Sequence, residues 1–175
     1  APLHSVVSAI TGENGAPVLL FAGSVSPHGT PLKPSQVRKL HNADLVVWVG
    51  PTLEASLQKL HGASDGPNHW LAMTEIAGIT HLEAREGGVH HQGSTHRPNG
   101  EAVPVRESHI DPHLWLQTGN ALQLAMAVTA ALSDLNPQSS DYYQANLQTF
   151  ETRLSRLETE LSRILEPLHD QHFMV

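Results

Sequence analysis

The 175-residue chain contains no cysteine. Disulfides and thiolate metal sites are thereby excluded. A thiol-free chain also suits an oxidising compartment, where stray thiols are a liability. No apolar run approaches the ~20 residues that a membrane-spanning helix needs. Basic residues are scarce: ten Lys plus Arg stand against seventeen Asp plus Glu, for a formal charge of −7. No basic cluster exists that would neutralise phosphates, which argues against nucleic acid as a partner. The chain opens on Ala1-Pro2-Leu3 rather than Met, which reads as a processed or trimmed start. What the chain does have is histidine. Thirteen imidazoles outnumber the ten Lys and Arg together, in a chain whose length and 39% apolar content suit one domain with a real core.

The apolar pattern predicts an α/β architecture. Leu3 to Ile10 reads as a strand end running into a helix. Val18 to Ala22 is a short continuous apolar run, the mark of a buried strand. Pro34 suits a first helical turn, and Val37, Leu40 and Ala43 repeat at helical spacing. Leu45 to Val49 reads as a second strand, broken by Gly50-Pro51. Thr52 is then expected to cap a short helix that ends near His61, and Trp70 to Met73 reads as a third strand. Strands alternating with helices imply a parallel sheet, and ligands bind in such sheets at the loops beyond the strand ends.

The second half is helical. A helix is predicted from Thr118 to Leu135, with Asn136-Pro137 as a stop and restart. A long helix from Gln138 to Glu166 follows, with Leu147, Phe150, Leu154, Leu157, Leu161, Ile164 and Leu168 at steps of three and four. At ~1.5 Å per residue it outruns one small sheet, so its far end is expected to meet something else. Residues 82–108 break the pattern with glycines, prolines and His90, His91 and His96, and read as a mobile surface loop. Phe173-Met174-Val175 reads as the opening of a further strand.

Two segments carry the chemistry. Ser26-Pro27-His28 and His109-Ile110-Asp111-Pro112-His113-Leu114-Trp115 each place a histidine in a loop, about 85 residues apart. A neutral ring nitrogen is the commonest protein ligand for zinc, so two such loops can face one ion if the fold joins them. Taken alone, His28 is also an ordinary loop residue, and the His113 segment also packs under a helix start. His109 reads as an exposed residue or an auxiliary ligand. Asp111 either orients a histidine through its second ring nitrogen or caps a turn. The His-x-Asp-x-His spacing resembles fragments of metallohydrolase motifs, but such enzymes need a base and further ligands, and no second carboxylate cluster appears.

Ser26-Pro27-His28, Leu32-Lys33-Pro34-Ser35-Gln36, Asn42 to Gly50 and Asp111 to Leu116 together resemble the zinc/manganese (cluster A-I) substrate-binding proteins of bacterial ABC transporters. The zinc-uptake, ZnuA-like branch is the nearest in kind. The resemblance implies a parallel-sheet N-terminal lobe over 1–135, a long interdomain helix over 136–168, and the start of an absent C-terminal lobe over 169–175. It implies His28 and His113 as metal ligands, with a third histidine downstream of Val175. His90, His91, His96 and His109 become auxiliary ligands on a His-containing loop, with Asp111 behind His113. The cargo implied is zinc rather than manganese, because manganese-selective relatives use more carboxylate. The chain departs from many relatives at Gly29, where they carry Asp, and from some at Pro27, where they carry a carboxylate. The implied task is periplasmic or extracytoplasmic zinc capture and delivery to an ABC permease, without a chemical step. A metal-dependent adhesin of the same family is the alternative. A lone lobe is further expected to self-associate, covering Leu157, Leu161, Ile164 and Leu168.

Overall fold

A computed structural model describes residues 2–21, 28, 30–61, 69–84 and 110–169. Helix α1 (Pro2–Thr11) is followed by α2 (Pro34–His41), strand β1 (Leu45–Trp48), α3 (Ala55–His61) and strand β2 (His69–Ala72). The chain then runs to α4 (Thr118–Leu135) and α5 (Ser140–Leu165). Strands β1 and β2 pair in parallel, with Leu45 opposite His69 and Trp48 opposite Ala72.

Alternation along these two strands builds two cores. Successive side chains of a strand point to opposite faces. Val46 and Trp48 of β1, with Trp70 and Ala72 of β2, face α2 and α3 and pack with Leu40 and Leu57. Val47 and Val49, with Leu71 and Met73, face the other way. There they meet Val6 and Ile10 of α1, Leu124, Ala125 and Val128 of α4, and Tyr143 of α5. The sheet is therefore sandwiched between α2/α3 and the α1/α4/α5 group, and α1 to α4 and the first half of α5 each turn an apolar face to one core.

Several expected elements stand where the pattern put them. Pro34 opens α2, with the fixed φ of proline suited to a first turn. The span of α4 is Thr118–Leu135, closed by Asn136 and restarted through a tight turn at Pro137–Ser139. Helix α5 has 26 residues, about 39 Å at ~1.5 Å per residue. Its first half buries Tyr143 and packs Leu147 and Phe150 on the core. Its second half turns Leu157, Leu161, Ile164 and Leu165 to the outside, and Leu168 in the turn that follows continues this face.

Three expectations need correction. Leu3 to Ile10 is helical throughout, with no strand end. Val18 to Phe21 forms no strand, and Val18 is 62% exposed. Leu20 and Phe21 instead lean on the α2/α3 core as side chains without a ladder. Thr52 does not cap α3: its hydroxyl is buried without a hydrogen-bond partner. The residue before the helix, Glu54, reaches back instead to the backbone at the end of β1. Of the 82–108 loop, expected to be mobile, residues 85–108 lie outside the described residues, as does the strand opening at Phe173 to Val175.

Candidate metal centre

The His113 segment is built from its base upward. Asp111 donates its backbone N–H to Leu82 O at 2.9 Å, and Glu83 bridges Ile110 in antiparallel fashion. These contacts join the two chain ends that flank residues 85–109. Proline follows Asp111, and the chain then turns through a short 3-10 segment, Leu114–Leu116, into α4. Leu114 is buried and serves as the apolar anchor of the turn.

One carboxylate oxygen organises His113. Asp111 Oδ1 accepts the His113 backbone N–H at 2.9 Å, closing an Asx turn. The same oxygen lies 2.7 Å from His113 Nδ1. A carboxylate only accepts, so Nδ1 is the donor, and in the neutral ring Nε2 keeps its lone pair. The pair stays within reach of solvent, with 49% of the His113 and 44% of the Asp111 side chain exposed. The Trp115 ring meets the imidazole edge-on, at 5.3 Å between centroids. Asp111 Oδ1 thus meets two donors on one residue, the backbone and the ring of His113.

His28 is exposed, in the segment between Phe21 and α2. Gln36 holds the base of that segment. Its Nε2 donates to Leu20 O at 2.6 Å, and its Oε1 accepts the Lys33 N–H at 2.8 Å. His90, His91, His96 and His109 lie outside the described residues. Among the described residues, no three His, Asp or Glu side chains gather where they would hold an ion. The geometry brings Asp111 and His113 together and anchors each histidine loop at its base.

Two polar side chains escaped the sequence reading. Asn120 in the first turn of α4 is 1% exposed, and its amide is fully engaged across the base of the His113 segment. Glu54 is buried, and one oxygen accepts the N–H groups of Val49 and Gly50 at 3.1 and 3.2 Å. Burial pushes its carboxyl up to about 7, against the pull of those two hydrogen bonds. Each is a lone polar residue near a helix start, and that position does not name its partners.

Comparison with known proteins bears on these loops. A family model described as zinc-uptake complex component A, periplasmic (ZnuA), matches residues 1–175. The high-affinity zinc uptake system protein ZnuA of Yersinia pestis is 32% identical over 185 residues, covering 99% of this chain and 57% of that protein. A crystal structure of ZnuA superposes with a TM-score of 0.75 at 28% identity, covering 98% of this chain and 59% of the other. The Zn(II)-bound ZnuA-like domain of Streptococcus pneumoniae AdcA shares the fold, with a TM-score of 0.69 at 19% identity, over 93% of this chain and 52% of that one. The chain thus spans somewhat over half the length of the curated relatives it first matches. A parallel sheet flanked by helices, two histidine loops tied at their bases and a long closing helix agree with a family match over every residue, and the chain belongs to the ZnuA family.

Proposed function

We propose that the chain is the N-terminal metal-binding lobe, with its linker helix, of a zinc-capturing component of a bacterial ABC importer. The observation that carries this is the Asp111–His113 pair: a carboxylate at 2.7 Å fixes the ring proton on Nδ1 and leaves Nε2 as a ready ligand. His28 supplies the second imidazole. A third histidine, from a second lobe beyond residue 175, and water or a carboxylate complete a tetrahedral site. Nitrogen ligation without thiolate suits an ion that must later be released, and it favours zinc over manganese. His90, His91, His96 and His109 serve as auxiliary capture groups in the segment between Glu83 and Ile110, which bridge each other.

In this reading residues 1–135 form the lobe, 136–168 the linker helix, and 169–175 the entry to the second lobe. The exposed apolar row from Leu157 to Leu168 supports that division, because a helix face of this kind needs a partner. A second copy of the chain covers it when the lobe stands alone. The protein works outside the inner membrane, in the periplasm. No helix among the described residues is long and apolar enough to cross a membrane. Its partner is the importer's permease, and its task is binding and handover without turnover. A metal-dependent adhesin would use the same site, but no observation favours it.

The test is growth. A bacterium deprived of its own zinc-capture component is supplied with the natural full-length protein under zinc starvation. Growth restored by zinc-limited uptake, and lost with His113→Ala, supports the proposal. Equal rescue under manganese starvation, or rescue by His113→Ala, refutes it.

A further inference from the structure

The peptide that follows His113 is fastened from below by one side chain. Asn120 Nδ2 donates to Leu114 O at 3.0 Å and to Thr80 O at 2.9 Å. Its Oδ1 accepts the Thr80 N–H at 2.7 Å. One buried amide therefore bridges the two chain segments that flank residues 85–109, and it grips the second of them one residue past His113. On the other side, Asp111 N–H is held by Leu82 O at 2.9 Å. His113 is thus fixed before and after, and the Asp111 carboxylate and the Trp115 ring constrain what rotation remains.

The helix does not need this amide for its own sake. Gln117 caps α4, its side chain accepting the Asn120 backbone N–H at 2.5 Å. All three Asn120 side-chain bonds run to residues outside the helix. An apolar residue would fill a position that is 1% exposed at lower desolvation cost. A fully satisfied buried polar group instead specifies one arrangement of the segments it joins.

We propose that Asn120 is a positioning residue for zinc: it presets the backbone of the His113 turn, so that Nε2 meets the ion without first ordering the loop. This rests on the reading of His113 as a ligand. A preset ligand avoids the ordering cost of binding, and loss of an outer-shell support typically lowers metal affinity by about 10–100-fold.

The experiment is a zinc competition titration against a chelator of known affinity, on the natural full-length protein. The variants are Asn120→Ala, Asn120→Asp, His113→Ala and the His113→Ala/Asn120→Ala double variant, with circular dichroism on each. Asn120→Asp keeps the acceptor for Thr80 N–H and removes both donors. The expected result is a native fold with about a 10–100-fold loss for each Asn120 variant, and no further loss when Asn120→Ala is added to His113→Ala. Wild-type affinity in a natively folded Asn120→Ala overturns the proposal. So does an equal loss in the His113→Ala background, or unfolding of both Asn120 variants, since each marks a scaffold role alone. If His113→Ala itself binds zinc like wild type, the ligand reading falls and takes this proposal with it. If His113→Ala is weak while Asn120→Ala is not, the positioning claim alone fails.

Discussion

Asp111 Oδ1 receives two hydrogen bonds from His113, one from the ring at 2.7 Å and one from the backbone at 2.9 Å. The backbone bond sets the turn and the ring bond sets the tautomer, so a single side chain fixes both where the imidazole stands and which nitrogen it offers.

That double role predicts a graded response. Asp111→Ala loses both bonds and is expected to weaken zinc binding by about 10–100-fold. Asp111→Asn keeps a carbonyl acceptor without the charge and should fall between the two. Competition with a fluorescent chelator measures both. Wild-type affinity in Asp111→Ala means that the carboxylate only shapes the turn.

Gln36 ties Leu20 to Lys33 at the base of the His28 segment, as Asn120 ties Thr80 to Leu114. The nearer tie, at Lys33, is five residues from His28, whereas Asn120 grips the residue next to His113. Gln36→Ala is therefore expected to cost less zinc affinity than Asn120→Ala, and less than tenfold in the same titration. A larger loss would show that the His28 segment depends on its base as strongly as the His113 turn does.

Glu54 predicts a pH dependence of stability. Its folded-state pKa, about 7, lies above its ordinary value of 4.5, so the folded chain holds more protons between those two values. Stability is then greatest below the ordinary value, declines as pH rises toward the folded value, and levels off above it. The shift corresponds to on the order of 3 kcal/mol. Glu54→Gln keeps an acceptor for Val49 and Gly50 without a charge to bury. It should lose this decline and gain stability at pH 8, as read from urea midpoints at pH 5 and 8. An unchanged slope would mean that Glu54 does not titrate in this window.

The second half of α5 predicts a separation of folding from association. Leu157 and Leu161 are 46% and 40% exposed and pack on neither core. Leu157→Gln with Leu161→Gln should change the stability of the 175-residue chain by no more than about 0.5 kcal/mol per site. It should also reduce self-association in sedimentation velocity. A large loss of stability would place these side chains inside the lobe.

Local signals carried much of this structure. Pro34, Asn136-Pro137 and the steps of three and four along α5 are written in neighbouring residues, and those elements stand as read. Val18 to Phe21 misled because a short apolar run states burial and not a ladder. Leu20 and Phe21 do approach a core, but no strand of the described residues pairs with them. Asn120 was illegible because its partner Thr80 lies forty residues away. Asp111 was half legible: a residue two positions before a histidine is within reach of its ring, but the turn that delivers both donors to one oxygen comes from the fold.

The central claim is that His28 and His113 hold one zinc ion. Calorimetric zinc titration of the natural full-length protein, with His28→Ala, His113→Ala and the double variant, tests it most directly. One shared ion predicts that each single variant loses most of the high-affinity heat and that the double variant loses little more. Full zinc affinity in both single variants would contradict the account and assign binding to the histidines of residues 85–109.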